Sequence, residues 1–183
     1  MTRQLIAVLV LAGMPAALAA QSQQRLSIQG SGAMVFPTAS ESGFENDTRL
    51  GWEAQLRYTF SRFSLGAGYQ QATVYKFASG DFTGAISTIF VEPRYVFAAA
   101  QRTAFYAAGR VGAGLLRCDP EQDCAEQEWE PAYGGGGGLL VLLGTRVSID
   151  LGAQFFATRY TLASGEKASP GYIMARLGLS VGL

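Results

Sequence analysis

The chain has 183 residues, with 14 basic and 14 acidic side chains and no histidine, so its formal net charge at pH 7 is zero. This balance gives no support to nucleic-acid binding, which needs a basic patch. The absence of histidine excludes a Ser-His-Asp triad and a histidine-ligated metal, so we expect no enzyme, no cofactor and no metal site.

The first twenty residues have the pattern of a secretory signal peptide. Arg3 supplies the positive charge, 5–11 form the apolar segment, and 17–19 (Ala-Leu-Ala) match a small-x-small cleavage site. The apolar segment is too short for a membrane-spanning helix, which needs about 20 residues. We therefore predict that 1–19 are removed and that 20–183 form one exported domain.

A strand-like alternation begins after this leader and continues to the end of the chain. In 49–60, Leu50 and Trp52 share one face with other apolar residues, whereas Glu53 and Arg57 lie on the opposite face. An apolar face backed by a charged face is typical of a wall between lipid and a polar interior. Eight strands are predicted, at 25–36, 49–60, 63–76, 86–97, 103–116, 132–143, 147–158 and 172–183.

The sixth strand is the least regular, because five consecutive glycines occupy 134–138. No Gly-Lys-Ser/Thr sequence follows them and no helical pattern begins there, so they do not form a phosphate-binding loop. We predict instead a bend in the strand or a close approach of two backbones.

The connections between the predicted strands alternate in length. Short turns at one end and long polar loops at the other are typical of outer-membrane barrels, and an even strand count puts both termini at the periplasmic, short-turn end. The fold class is therefore predicted to be all-β, an eight-stranded antiparallel up-and-down transmembrane β-barrel. The short connections are 61–62, 98–102 and 144–146, and the long ones are 37–48, 77–85, 117–131 and 159–171.

Charged side chains collect on the face opposite the apolar one. An eight-stranded barrel is just wide enough for side chains to fill it, so these charges are expected to pair with one another inside. We interpret them as a polar plug that replaces a hydrophobic core; the alternative is an ion or solute path with a charge gate. Inward glycines such as Gly66 and Gly152 would leave room for long arginines. The predicted members are Arg49, Glu53, Arg57, Glu92, Arg94, Arg110, Asp150 and Arg176.

Cys118 and Cys124 lie six residues apart in an acidic connection. In an exported chain they are expected to form a small disulfide, since no further cysteine or histidine could complete a zinc site. The neighbouring carboxylates could bind a divalent cation, because hard cations prefer several oxygen ligands. The turn glycine and ligand spacing of an EF-hand are missing, so we interpret this connection as a solvated surface loop.

The end of the chain carries a family resemblance. Arg176, Gly178, Val181 and Leu183 resemble the carboxy-terminal assembly signal of outer-membrane barrels, although that family usually ends on an aromatic residue. The stretch 91–95 (Val-Glu-Pro-Arg-Tyr) resembles small barrels of the OmpA, OmpX and OmpW type. This resemblance implies contact with outer-membrane lipid and lipopolysaccharide, and passage through periplasmic chaperones and the barrel-assembly machinery.

Three functions fit these patterns. The first is a non-enzymatic barrel in the outer membrane of a Gram-negative-type cell, with a structural role or a role in surface contact through its long loops. The second is a narrow channel for small or apolar solutes, as similarity to the OmpW type implies. The third is a soluble exported barrel of lipocalin shape, which would need the apolar face inside and the charged face outside.

Overall fold

The structure is a computed structural model that describes residues 25–38, 48–76, 83–99, 102–119, 128–161, 167–168 and 171–183. The predicted leader lies outside these ranges, as does Cys124, so the disulfide with Cys118 stays a prediction. Within the described ranges, no helix has the length and apolarity needed to cross a membrane.

The barrel strands are β1 (Leu26–Pro37), β2 (Arg49–Phe60), β3 (Phe63–Lys76), β4 (Thr83–Ala99), β5 (Thr103–Asp119), β6 (Glu130–Leu142), β7 (Val147–Thr158) and β10 (Gly171–Gly182). These eight antiparallel strands form one closed barrel, in the order β1-β10-β7-β6-β5-β4-β3-β2. The first strand pairs with both β2 and β10, which closes the cylinder. Two further strands, β8 (Tyr160–Thr161) and β9 (Lys167–Ala168), form a separate small ladder.

The predicted fold class is confirmed, and the boundaries of β2, β3 and β7 agree with the prediction. The hairpin of β4 and β5 is longer than predicted, with 17 residues in each strand. Its ladder runs out to the pair Thr83 and Asp119. Backbone hydrogen bonds extend this hairpin beyond the point where the alternation of apolar and polar residues ends.

The glycine run lies inside β6, and its ladders with β5 and β7 pass through it without a register shift. A Cβ atom at Gly136 would collide with the carbonyl oxygen of Ala153, and one at Gly134 with the carbonyl oxygen of Phe155. The glycines therefore allow a close approach of neighbouring backbones, and the strand continues through them.

The two faces of the barrel wall differ in the way the alternation predicts. Leu151 points outward and is 43% exposed, whereas its neighbour Asp150 points inward and is fully buried. The same contrast holds along β1, where Ile28 and Met34 are exposed and Gln29 is buried. Apolar side chains thus cover the outside of the cylinder, and polar side chains occupy much of its inside.

The interior has three layers. A loop-end apolar cluster lies toward the long connections and consists of Ala33, Val35, Ala72, Val74, Ile86, Ala132, Phe156, Tyr172 and Met174. A turn-end apolar cluster consists of Val96, Ala104, Tyr106 and Ala108, with Leu140 and Leu142 packed against it. Along β4, Ile86 of the first cluster and Val96 of the second flank the charged residues Glu92 and Arg94. Charge therefore lies between the apolar loop end and a turn end that combines the turn-end apolar cluster with buried serines such as Ser64 and Ser148.

Candidate functional site

Glu92 on β4 is the main acceptor of the buried charged layer. Its Oε1 lies 2.5 Å from Arg57 Nη2 and 3.0 Å from Arg94 Nη2. Its Oε2 lies 2.5 Å from Arg110 Nη2 and 3.1 Å from Arg176 Nη1. One carboxylate thus accepts hydrogen bonds from guanidinium groups on four strands, and it ties β2, β4, β5 and β10 together across the lumen.

Glu53 on β2 is the second acceptor and shares two of these arginines. Arg110 Nη2 lies 3.0 Å from its Oε2, and Arg176 Nη1 lies 2.9 Å from its Oε1. Arg110 also donates through Nη1 to Gln70 Oε1 at 2.6 Å. Two arginines therefore bridge two carboxylates, a geometry that suits the planar guanidinium fork.

Asp150 on β7 is the third acceptor and lies nearer the short-turn end. Arg94 Nη2 is 2.8 Å from its Oδ2, and Gln29 Nε2 donates to the same oxygen at 3.0 Å. The hydroxyl of Tyr106 donates to Oδ1 at 2.6 Å and accepts a hydrogen bond from Arg176 Nη2 at 3.0 Å. Tyr106 thus connects the charged layer to the turn-end apolar cluster.

Aromatic rings cover two of the guanidinium groups. The guanidinium carbon of Arg94 lies 3.8 Å from the ring centroid of Tyr106, and that of Arg110 lies 3.7 Å from the centroid of Phe90. A cation above an aromatic face is attracted by the ring quadrupole, most strongly when it is shielded from water. The rings therefore stabilise charge from the side that carboxylates do not reach.

Small inward residues leave the volume that the long side chains occupy. A Cβ atom at Gly66 would lie 2.6 Å from Gln55 Oε1 and 2.9 Å from Arg57 Nη2. A Cβ atom at Gly152 would lie 2.6 Å from the Tyr106 hydroxyl oxygen and 3.0 Å from Arg176 Nε. Glycine at these wall positions fits the predicted role of making room for arginine.

The structure brings seven of the eight predicted network residues into one cluster, which we call the charged cluster: Glu53, Arg57, Glu92, Arg94, Arg110, Asp150 and Arg176. The eighth, Arg49, is half-buried at the first residue of β2, two inward positions beyond Glu53, and the ion pairs given above do not include it.

Sequence reasoning missed two contributions to this site. Tyr106 and Phe90 occupy inward positions of the barrel and are not among the predicted network residues. Both could have been predicted from their inward positions in the sequence alternation. An aromatic residue at an inward position of a narrow barrel must lie against the charges around it.

The four residues of the predicted assembly signal have different positions. Arg176 belongs to the charged cluster, and Gly178 faces inward, where a Cβ atom would collide with Ser31 Oγ. Val181 and Leu183 are exposed on the outer side, and the amide of Leu183 donates to the carbonyl of Leu26 at 2.9 Å. Recognition by the assembly machinery stays a prediction.

The described residues contain no group of three histidine, cysteine, aspartate or glutamate side chains that could hold a metal ion. The carboxylates of the charged cluster are engaged by arginines, which explains why they offer no cation site. What this arrangement can do chemically is pair opposite charges inside the barrel and lock the strands together.

No protein-family model matches the chain, and no curated protein matches it at a significant level. Several solved structures do match the chain. Neisserial surface protein A (NspA) superposes with a TM-score of 0.70 at 13% identity, over 86% of this chain and 97% of that one. OprH from P. aeruginosa gives 0.53 at 15% identity, over 84% and 99%. Ail, the attachment invasion locus protein of Yersinia pestis, gives 0.51 at 15% identity, over 85% and 95%.

These similarities show that the chain has the fold of small eight-stranded outer-membrane barrels. The predicted resemblance to such barrels is confirmed at the level of the fold.

Proposed function

We propose that this protein is a non-enzymatic integral barrel of the outer membrane, exported with a cleaved leader, with a closed interior and with its contacts to other molecules made at its long loops. The observation that carries the proposal is the charged cluster, in which four arginines and three carboxylates fill the middle of the lumen. A cylinder filled in this way supports a structural role for its interior.

The outer face supports insertion in a bilayer. Leu56, Ile89, Leu151 and Leu177 are all exposed on the outside of the cylinder, at different points around it. In water such a continuous apolar surface would promote aggregation, whereas in lipid it is the expected surface of a barrel. The soluble lipocalin-like alternative needs the opposite orientation of the two faces and is not supported.

The filled lumen argues against the channel alternative. Phe156, Tyr172 and Met174 are each 1% exposed in the loop-end apolar cluster. Below them Arg110 joins Glu53 to Glu92 across the interior. A solute path would have to break both layers, and separating the buried ion pairs would leave charges uncompensated at high cost.

The closed lumen is tested by conductance. Protein refolded into planar bilayers should give no steady current, in contrast to a porin recorded in the same bilayers. Phe156→Ala, which opens the loop-end apolar cluster, and Phe155→Ala, which changes the adjacent outward position, form a matched pair. Reproducible single-channel steps in the unaltered protein, changed by an inward substitution and not by Phe155→Ala, would establish the channel instead.

The proposed topology is tested on intact cells. Protease added from outside should cleave in the long connections and leave the short turns at 61–62 and 144–146 intact. Cleavage at the short turns, or release of the protein into the periplasm without detergent, would contradict the proposed insertion.

A further inference from the structure

A cavity of about 30 Å³, partly open to solvent and lined by both polar and apolar groups, lies beside the charged cluster on its short-turn side. Two members of that cluster, Arg57 and Arg94, line it. A single buried water needs about 10–15 Å³, so the cavity has room for a small ion or for two waters. The rest of the lining consists of Gln29, the apolar side chains of Val96 and Leu140, and five hydroxyl groups, from Ser27, Thr59, Ser64, Ser148 and Ser180.

The charged cluster beside this cavity is not neutral. Four guanidinium groups face three carboxylates, and all seven side chains are buried. Arginine keeps its proton in proteins, so the excess of one positive charge is permanent. The hydroxyl of Tyr106 donates to Asp150 at 2.6 Å, which means that it retains its proton and adds no negative charge. An uncompensated buried charge is strongly unfavourable.

The two arginines that line the cavity also have unused donors. Arg57 is 5% exposed and Arg94 is 2% exposed. The Nε of each is buried and has no acceptor within the described part of the chain. A water molecule could accept from these groups, but it would leave the charge excess unchanged. An anion in the cavity would supply a hydrogen-bond acceptor and would also balance the excess positive charge.

We propose that this cavity is a binding site for one small monovalent inorganic anion, and that chloride is its occupant. A single negative charge balances the cluster, whereas a divalent anion such as sulfate would overcompensate it and is too large for the space. Serine and threonine hydroxyls can donate to a halide without adding charge. The anion would make the charged cluster electrically neutral, so the barrel's stability depends on chloride.

The direct test is crystallographic and uses the unaltered protein. Crystals grown with sodium bromide in place of sodium chloride should show one anomalous peak in the cavity, in contact with Arg57 and Arg94. Density that fits water alone, without a bromide signal, would overturn the proposal.

The second test measures unfolding by urea, because guanidinium chloride would itself supply the anion. Sodium chloride and sodium gluconate are compared at equal ionic strength, since gluconate screens charge but is too large for the cavity. Above the dissociation constant, each tenfold increase in chloride should raise the folded-to-unfolded ratio about tenfold. Gluconate should have no such effect, and equal responses to the two salts would contradict the proposal.

Two variants give the control. Arg57→Gln removes the excess charge and leaves Glu92 with three arginines, so its stability should no longer depend on chloride. Met174→Ala lies in the loop-end apolar cluster and should keep the full dependence. Chloride dependence that survives in Arg57→Gln would refute the site. If Arg57→Gln does not fold, the bromide experiment on the unaltered protein decides.

Discussion

The middle and the loop end of this barrel fill the same cylinder in two different ways. The charged cluster fills the middle with ion pairs, of which Arg110 to Glu92 at 2.5 Å is one example. The loop-end apolar cluster fills the upper part with aliphatic and aromatic side chains such as Phe156 and Tyr172. Gln70 connects the two layers, since its carbonyl oxygen accepts from Arg110 and its amide donates to the Tyr172 hydroxyl.

The difference shows what each layer contributes. Ion pairs stabilise a structure only if every charge has partners, because the free-energy cost of burying an ion is close to the free energy gained by pairing it. Apolar packing has no such condition and depends on filling space. The middle layer therefore specifies which strands face one another, and the loop-end layer seals the cylinder.

The largest expected effect comes from breaking the middle layer at its main acceptor. Glu92→Gln removes the negative charge that Arg57, Arg94, Arg110 and Arg176 share. The remaining carboxylates would then face four cations, so we expect a loss of about 3–5 kcal/mol in the free energy of unfolding. Urea titration in lipid measures it, and Glu128→Gln, at an exposed position, is the control. Equal, small losses in both variants would mean that the ion pairs do not hold the barrel.

Substitution in the loop-end layer should cost somewhat less. Phe155 and Phe156 are neighbours on β7, one 47% exposed on the outer face and the other 1% exposed in the cluster. Both alanine variants lose the free energy that is gained when a phenyl ring is removed from water. Only Phe156→Ala also leaves a cavity in the protein. We expect about 3–4 kcal/mol for Phe156→Ala and about 1–2 kcal/mol for Phe155→Ala in lipid. A larger loss at Phe155 would mean that lipid contact outweighs internal packing.

Sequence alternation identified the middle layer and missed the loop-end layer for one physical reason. Charged residues on an otherwise apolar strand mark the inward face at once, as Glu53 and Arg57 do on β2. Toward the loops both faces are apolar, as in 33–36 (Ala-Met-Val-Phe) and 155–157 (Phe-Phe-Ala), so the period of two disappears. Closure of the barrel was predictable from strand number and loop lengths.

The pairing of individual charges could not be derived from this alternation. The pairing depends on the stagger between strands, which sets the height at which each inward residue lies. Arg49 and Arg57 share the inward face of β2, yet only Arg57 is level with Glu92. Whether a residue has an odd or even position in its strand determines the face on which it lies. The register of the closed barrel determines which residues are its neighbours.

Removing one hydroxyl group tests how tightly the middle layer is connected. Tyr106→Phe leaves the ring under Arg94 in place but removes the donor to Asp150 and the acceptor for Arg176. Two buried groups lose a partner, so we expect a loss of about 2 kcal/mol in the free energy of unfolding. Tyr69→Phe, whose hydroxyl bonds Ser87 at a part-buried site, is the matched control and should lose less. A Tyr106 variant as stable as the unaltered protein would show that these hydrogen bonds add nothing to the ion pairs.

The smallest effect is the most specific, because it measures the fit between wall and cluster. A Cβ atom at Gly152 would lie 2.6 Å from the Tyr106 hydroxyl oxygen, whereas one at Gly32 would have no atom within 4 Å. Gly152→Ala should therefore cost about 1–2 kcal/mol, and Gly32→Ala should be neutral or slightly stabilising. In the Tyr106→Phe background the oxygen is absent, so the cost of Gly152→Ala should fall by about 1 kcal/mol. Strict additivity of the two changes would mean that wall and cluster do not touch as the structure has them, and the volume left by inward glycines would then need another explanation.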